Sequence, residues 1–372
     1  MADARLPASS PELIALGIEG SANKIGVGIV RFSGGSAGTY DILANPRKTY
    51  ITKPGQGFLP RETAWHHQRH VSSLILAALA EAGLRARDLS VICFTRGPGM
   101  GAPLQSCALA ARTLALHLGI PLVGVNHCVA HIEMGRAVTG GADPVVLYVS
   151  GGNTQVISYA AQRYRVFGET IDIAIGNCLD RFARVAGLSN DPSPGANVEA
   201  AAARCVARAA AAGSAPPRLL TLPYVVKGMD LSFSGLLSAL EKETRVRLRT
   251  ATDDAARAEV VDELAYALQE TTFAALVEVT ERAMAHANRK EVLLVGGVGC
   301  NTRLQQMMGV MAAARGGRVH GMDHRYCIDN GAMIAHAGLL QYQFAGPTEI
   351  GKTDTTQRFR TDEVVIKWRR RE

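Results

Sequence analysis

Two imidazoles, a carboxylate and a phenol set the chemical question. His127 and His131 stand four residues apart in Asn126-His127-Cys128-Val129-Ala130-His131. On a helix that spacing turns both rings to one side, where they can share a metal ion. Asp329 and Tyr148 would add the hard oxygen donors of a mixed site. Spacing alone decides little, because His66 and His70 repeat it. Context separates the pairs: His127 follows directly on the apolar strand predicted at 122–125, a cleft-edge position, whereas His66 and His70 fall inside an amphipathic helix predicted at 64–82. A cleft-edge site also implies that the fold tolerates loss of either ligand. A zinc-protease reading fails on Cys128, which occupies the place where HExxH chemistry needs its glutamate. There is no GxSxG elbow either.

A second chemistry lies in the turns. Glu19-Gly20-Ser21-Ala22-Asn23-Lys24 and Ser150-Gly151-Gly152-Asn153-Thr154 each join two apolar strands, and Gly296-Gly297-Val298-Gly299-Cys300-Asn301 leads from a strand into a helix starting at Thr302. Small residues let backbone N–H groups approach phosphate oxygens. A single turn of this kind is an ordinary hairpin; three at strand ends point to a nucleotide cleft.

The elements that must position these groups alternate as an α/β chain does. Strands are predicted at 13–17, 25–32, 40–43, 91–95 and 122–125, with helices at 64–82 and 102–118. Strand, small-residue turn and strand then return 132 residues later, at 145–149 and 156–159. A repeat at that distance describes two related lobes, not a solenoid. The second lobe continues with helices near 175–186 and 198–212, a long helical stretch at 253–287, a strand at 292–295 and a last helix at 330–344. The expected division is a first lobe at 1–145, a second at 146–331, and a C-terminal helix with a basic tail at 332–372 packing back on the first lobe. The alanine-rich stretch 200–217 reads as a surface helix and loop.

The 372 residues carry 40 Lys+Arg against 33 Asp+Glu, a net charge of +7 and a pI near 9.1. That balance suits an anionic partner, with basic runs at 245–249 and 367–371 as candidate contacts. Hydrophobic residues at 47% and charged ones at 20% exclude a disordered or fibrous chain. Seven cysteines without a CxxC pair read as reduced thiols. No 18-residue apolar run, secretory signal or transit peptide is present in the sequence, so an intracellular enzyme is expected.

Taken together, these motifs carry a family resemblance. Gly17-Ile18-Glu19-Gly20-Ser21-Ala22-Asn23-Lys24, Pro60-Arg61-Glu62-Thr63, Gly97-Pro98-Gly99, the histidine motif, Tyr148 with its glycine turn, Ser232-Phe233-Ser234-Gly235, the second glycine loop and Asp329-Asn330 occur in order along 13–369. The chain resembles the tRNA N6-adenosine threonylcarbamoyltransferase family, the catalytic subunit of the KEOPS complex. Its first turn and Tyr148 are similar to the archaeal and eukaryotic branch. The resemblance implies duplicated RNase H-like lobes of the actin, Hsp70 and sugar-kinase architecture around a nucleotide cleft. It also implies transfer of a threonylcarbamoyl group from threonylcarbamoyl-AMP to N6 of the adenosine 3′ of the anticodon. It assigns one divalent cation, iron or zinc, to His127, His131, Tyr148 and Asp329. The adenylate falls to Tyr148, Val149, Ser150, Gly151, Gly152, Asp180, Gly195, Glu199 and Asn301, with no covalent catalytic residue. Implied partners are tRNA, a small atypical kinase and small accessory subunits, in cytoplasm and nucleus for a eukaryotic chain and in cytoplasm for an archaeal one. Related kinases carry aspartate in the first turn, and Glu19 in its place weakens a phosphotransferase reading; a non-catalytic ATP-dependent module would leave the metal constellation unexplained.

Overall fold

A computed structural model describes residues 11–34, 39–215 and 217–369. The first lobe is built on a sheet in which β1 (Leu13–Glu19) pairs antiparallel with β2 (Lys24–Phe32), and β2 pairs with β3 (Tyr40–Ala44) and the short β4 (Arg47–Thr49). On the other side β1 runs parallel to β5 (Val91–Gly97), and β5 parallel to β6 (Leu122–Asn126). The second lobe repeats the order. There β7 (Val145–Val149) pairs antiparallel with β8 (Thr154–Ala160), which pairs with β9 (Arg163–Glu169). Parallel to β7 run β12 (Glu291–Val295) and then β13 (Arg318–His320), while β10 (Val226–Lys227) and β11 (Asp230–Leu231) form a separate small hairpin. Each main sheet is thus an antiparallel ribbon extended by two parallel strands, the duplicated architecture anticipated from the recurring hairpin.

Period-two alternation explains how both faces of both sheets are used. Leu16, Ile18, Val27 and Ile92 point into an outer core beneath α1 (Pro60–Ala82) and α2 (Gly101–Leu118). Ala15, Val30 and Cys93 point the other way, into a central core with α3 (His127–Thr139) and α10 (Gly331–Ala345). In the second lobe Val146, Tyr148 and Val295 join that central core, whereas Val145, Leu147 and Val149 face α4 (Ile175–Val185), α5 (Pro194–Ala211), α6 (Ser234–Thr250), α7 (Asp254–His286) and α8 (Thr302–Ala314). Two sheets therefore alternate with three helical layers, and α3 and α10 lie between the sheets. Tyr148 is directed at α3 by alternation alone.

Close approach in the central layer depends on glycine. A Cβ added at Gly28 would lie 2.1 Å from the Ala332 backbone nitrogen, and one at Gly17 would lie 2.3 Å from that of Ala335. The backbone of α10 rests directly on the β1–β2 ribbon, with the one-turn α9 (His324–Cys327) just before it.

Boundaries differ from expectation mainly where polar residues carry the element. β9 reads Arg-Tyr-Arg-Val-Phe-Gly-Glu and hides its strand character behind two arginines, β13 is three residues at a sheet edge, and α6 opens at the serine motif. α5 begins at Pro194, behind the N-cap of Ser193, and is less superficial than expected: Val198, Ala201, Ala202 and Cys205 are buried.

After α10 the chain becomes a strap across both lobes. Arg112 donates to the Thr353 carbonyl, Thr356 N to the Arg96 carbonyl and Gly99 N to the Gln357 carbonyl. Farther along, Thr361 donates to Gln155 at 3.1 Å, Arg163 to the Asp362 carbonyl and Ile366 N to the Gln162 carbonyl. The first three partners belong to the first lobe and the rest to the second. On the far side of the cleft, Asn190 Nδ2 reaches the carbonyls of Thr52, Lys53 and Gln56 at 2.8–3.3 Å, a second link between the lobes.

Candidate functional site

The site begins at the end of β6. Asn126 caps α3 by accepting from Val129 N at 3.1 Å, so that His127 and His131 occupy successive turns on the side turned toward Asp329. Asp329 sits between α9 and α10 in a loop shaped by Asn330, whose amide donates to the Tyr326 and Ile328 carbonyls while its oxygen caps α10 at Met333 N. One donor atom from each of His127, His131 and Asp329 falls within 4.8 Å of the others, the one such trio of His, Cys, Asp or Glu among the described residues. Asp329 Oδ1 stands 3.1 Å from His131 Nε2 and 3.6 Å from His127 Nε2. A metal with bonds near 2.1 Å holds neighbouring donors roughly 3.0–3.4 Å apart, so the spacing fits a shared cation.

The surrounding residues support that fit. Glu19, at the end of β1, is fully buried and faces His127 Nδ1 at 3.1 Å. With Nδ1–H donating to this carboxylate, Nε2 is left available to ligate a cation, the carboxylate–histidine arrangement of metal sites. Ser21 N at 2.7 Å, Ser21 Oγ at 2.6 Å and Thr95 Oγ1 also donate to Glu19. Burial would push the Glu19 carboxyl up, but His127 and these donors hold it below the usual carboxylate range. Burial opposes charge on His127 too, and the adjacent Glu19 raises it nonetheless. His131 is held down by burial and by its neighbour His127, and its buried Nδ1 has no hydrogen-bond partner among the described residues. Against the cost of its own burial, Lys24 and the two histidines keep Asp329 ionised. Lys24 Nζ lies 3.5 Å from Asp329 Oδ2.

Both histidines are more enclosed than the cleft-edge reading expected. His127 is 4% exposed and His131 fully buried, because α3 lies between the two sheets rather than on a rim. Tyr148 is buried as well. Its ring stands 5.3 Å from that of His131, and its hydroxyl accepts from Asn153 Nδ2 at 3.3 Å, with burial raising it far above its ordinary value. His66 and His70 lie on α1, with rings 4.7 Å apart, and belong to another cluster with Tyr50.

Beside the trio opens a cleft of about 1040 Å3, lined from both lobes. Gly151 and Gly152 stand exposed at its edge, neither amide donates a hydrogen bond among the described residues, and no atom lies within 4 Å of an added Cβ. Ser150 closes the turn: its N donates to the Asn153 carbonyl at 2.8 Å, and its Oγ accepts from Asn153 N at 3.1 Å. Val149 is fully buried and contributes no side chain to the cleft. Asp180 on α4, Gly195 and Glu199 on α5, and Asn301 before α8 line the cleft. Asn301 is largely committed, since it caps α8 through Arg303 N and Leu304 N and donates to Gln269. Glu199 Oε1 accepts from Thr302 N at 2.8 Å. Asp180 makes no hydrogen bond among the described residues, and burial raises its carboxyl to about 6.

Three features of this site had no role assigned from the sequence. Glu19 stood out only as a departure from kinases, although a carboxylate at the end of an apolar strand and next to glycine was the available signal. The strap residues Gln357–Thr361 line the cleft, yet the polar tail gives no periodicity to reveal it. Gly97-Pro98-Gly99 seats that strap: a Cβ at Gly97, whose φ is +150°, would lie 1.9 Å from the Thr356 carbonyl oxygen. Ser232 and Ser234 instead hydrogen-bond Asp172, each at 2.6 Å, where α6 starts.

The basic runs need correction. Arg369 is 4% exposed, paired with Asp143 at 2.8 Å and stacked 3.7 Å over Tyr159, so it is a buried clasp and offers no charge to a polyanion. Residues 370 and 371 lie outside the described residues. On α6, Arg245 pairs with Glu241 and Arg247 with Glu263.

Comparison with known proteins agrees with this geometry. The sequence model described as TsaD, tRNA N6-adenosine threonylcarbamoyltransferase, matches residues 40–336. Proteins named tRNA N6-adenosine threonylcarbamoyltransferase are 56% identical in Aspergillus clavatus, over 96% of this chain and all of that one, and 56% in Cryptococcus neoformans, over 97% of each. A Drosophila melanogaster protein with the same name, qualified as probable, is 56% identical over 95% of this chain and 99% of its own. Among solved structures, HypF from T. kodakarensis superposes with a TM-score of 0.53 at 16% identity, covering 91% of this chain and 48% of that one, and a nucleotide-bound HypF gives 0.54 at 10%, covering 92% and 48%. Those two speak for the fold alone. The near full-length identity, on a chain whose motifs converge on one cleft, places this protein in the tRNA N6-adenosine threonylcarbamoyltransferase family.

Proposed function

We propose that this transferase, whose family acts on N6 of a tRNA adenosine, takes the threonylcarbamoyl group from threonylcarbamoyl-AMP and passes it to the adenosine 3′ of the anticodon in tRNAs that read codons beginning with A. The observation that carries this reading is the adjacency of two unlike halves in one cleft: a His127, His131 and Asp329 donor trio, and an open amide turn at Gly151 and Gly152. In the transfer, the N6 lone pair attacks the acyl carbon, the bond from that carbon to the phosphate oxygen breaks, AMP leaves and N6 gives up a proton.

An exocyclic amine is a weak nucleophile, so placement and charge stabilisation must provide the rate. His127, His131 and Asp329, with Tyr148, would hold a divalent cation, iron or zinc, which would supply Lewis-acid polarisation of the acyl group, and two imidazoles with one carboxylate suit either metal. Tyr148 walls that site from the second lobe. The Gly151 and Gly152 amides are accessible to phosphate charge, and Asp180 and Glu199 can accept from ribose hydroxyls. Glu19 holds the His127 tautomer.

KEOPS-type partners, a small kinase and accessory subunits, fit a chain whose charge is only +7 and whose candidate basic runs have Arg245, Arg247 and Arg369 engaged in ion pairs. Isolated, the chain should bind tRNA at low salt only, and partners should raise affinity and turnover. No helix among the described residues is long and apolar enough to cross a membrane. The relatives in fungi and an insect favour the eukaryotic branch, for which the resemblance implies a cytoplasmic and nuclear enzyme. The test is reconstitution with threonylcarbamoyl-AMP, the purified chain and a tRNA transcript, followed by nucleoside mass spectrometry. Threonylcarbamoyladenosine at that one position is expected; an unmodified transcript with the complete partner set present overturns the reading.

A further inference from the structure

The C-terminal strap contributes Gln357, Arg358, Phe359, Arg360 and Thr361 to the cleft lining. Its position there is firm. Asn126 Nδ2 donates to the Phe359 and Arg360 carbonyls, both at 3.2 Å, and Asn126 immediately precedes His127. The Gln357 carbonyl accepts from Gly99 N, and Thr361 is tied to Gln155 across the lobe boundary. The strap is therefore a fixed rim beside the donor trio, approached from α3, whereas the adenylate set comes from the turn after β7 and from α4, α5 and the start of α8.

Charge on this rim is unevenly satisfied. Arg96 beneath the strap pairs with Asp354 at 2.7 Å, and Arg360 pairs with both Glu169 and Asp362. Arg358 is exposed and makes no ion pair among the described residues. An incoming nucleotide must reach the acyl carbon from a side that the departing AMP does not fill, and it brings a phosphate on each flank. A guanidinium on the rim can bind such an oxygen in bidentate fashion.

We propose that Arg358 binds a backbone phosphate beside the acceptor adenosine, so that the strap is the tRNA-facing wall of the site. This rests on the transferase reading above and names the part of the chain that meets the anticodon loop. Phosphate contacts of this kind position the substrate without reading its sequence.

The experiment measures binding of a fluorescein-labelled anticodon stem–loop RNA to the full chain over a series of salt concentrations, alongside calorimetric binding of threonylcarbamoyl-AMP. In Arg358→Glu, RNA affinity should fall about tenfold at low salt and the log–log salt slope should shrink by about one, the loss expected for one phosphate contact. Arg358→Lys should retain most of the affinity. Arg245→Glu on α6 should match the wild type, and adenylate affinity should be unchanged in all three variants. Equal RNA affinity and slope in Arg358→Glu and wild type overturns the proposal, and so does an equal loss in Arg245→Glu, which would show a diffuse charge effect. Product formation by the wild type judges the transfer reading separately, so the two failures stay distinct.

Discussion

The two hairpin turns began as the same device and now do opposite things. After β1, the Glu19–Asn23 turn is filled with protein. A Cβ on Gly20 would stand 2.2 Å from Cys107 Sγ and 2.9 Å from His67 Cδ2, His67 Nε2 donates to the Ala22 carbonyl at 2.9 Å, and Met100 N donates to the Ser21 carbonyl at 2.7 Å. After β7, the Ser150–Asn153 turn has space around both glycines. The packed turn exists to hold a carboxylate against His127; the open one exposes amides to a ligand. Duplicated lobes can divide a reaction in this way, with one lobe fixing the two histidines of the candidate donor trio and the other presenting an open turn to a leaving group.

The sharpest break in that comparison comes from the donors themselves. His127→Ala and Asp329→Ala should abolish metal binding and transfer, while His66→Ala and His70→Ala on α1 keep both; elemental analysis of the purified variants decides. His131→Ala should also lose the metal, at a cost in stability, because it leaves a hole in a sealed core. Metal retained in His127→Ala and lost in His66→Ala would reverse the assignment.

Next come the paired glycines. Gly20→Val forces atoms against Cys107 and His67 and should destabilise the chain by about 2–3 kcal/mol, the scale of core overpacking. Gly152→Val meets open space, so its melting temperature should stay near wild type while its side chain blocks the phosphate. Calorimetry with threonylcarbamoyl-AMP should show binding weakened by well over roughly tenfold, the loss of a charge-assisted contact. If both variants melt alike and bind alike, the turns are not specialised.

A smaller effect tests the packed turn. Glu19→Gln keeps shape but replaces the carboxylate that accepts the His127 Nδ1 proton. Metal affinity should fall about 10–100-fold, the usual cost of losing an outer-shell partner. Competition with a chromophoric chelator reads this without reference to activity, and an unchanged affinity would make Glu19 merely structural.

How much of this was legible in the residues follows from where information is local. The duplication was legible because buried parallel strands write continuous apolar runs, and so were His127 and the glycine turns, which sit at the ends of those runs. The depth of His131 was not, since nothing in a single helix reveals that sheets cover both of its sides. Arg369 misled for a related reason: charge along the sequence looks the same whether Asp143, more than two hundred residues away, is beside it or not. The strap was invisible because most of the hydrogen bonds that seat it engage backbone carbonyls and amides, which leave no pattern in side-chain type.

The comparison of turns extends to two carboxylates, and the smallest predicted effect lies there. Glu19 is buried and saturated with donors, and its carboxyl stays low; Asp180, on α4 beside the open turn, has no hydrogen bond among the described residues, and burial raises it to about 6. A raised carboxyl binds its proton more tightly in the folded state than in the unfolded chain, whose ordinary value is 3.8. The Asp180 contribution to wild-type stability therefore declines as pH rises from about 4 to 6 and stays reduced above that. Asp180→Asn has no proton to lose. It should match the wild type below about pH 4 and exceed it above pH 6 by on the order of 1–2 kcal/mol, less than full linkage allows because water in the cleft screens the charge. Urea unfolding at pH 4, 5, 6 and 7 measures the difference; a gap that is constant with pH, or that favours wild type at pH 7, would show that Asp180 is already satisfied. The same substitution should weaken adenylate binding, because a carboxylate kept without partners at its own cost in stability is a group held ready for the donors that a ribose brings.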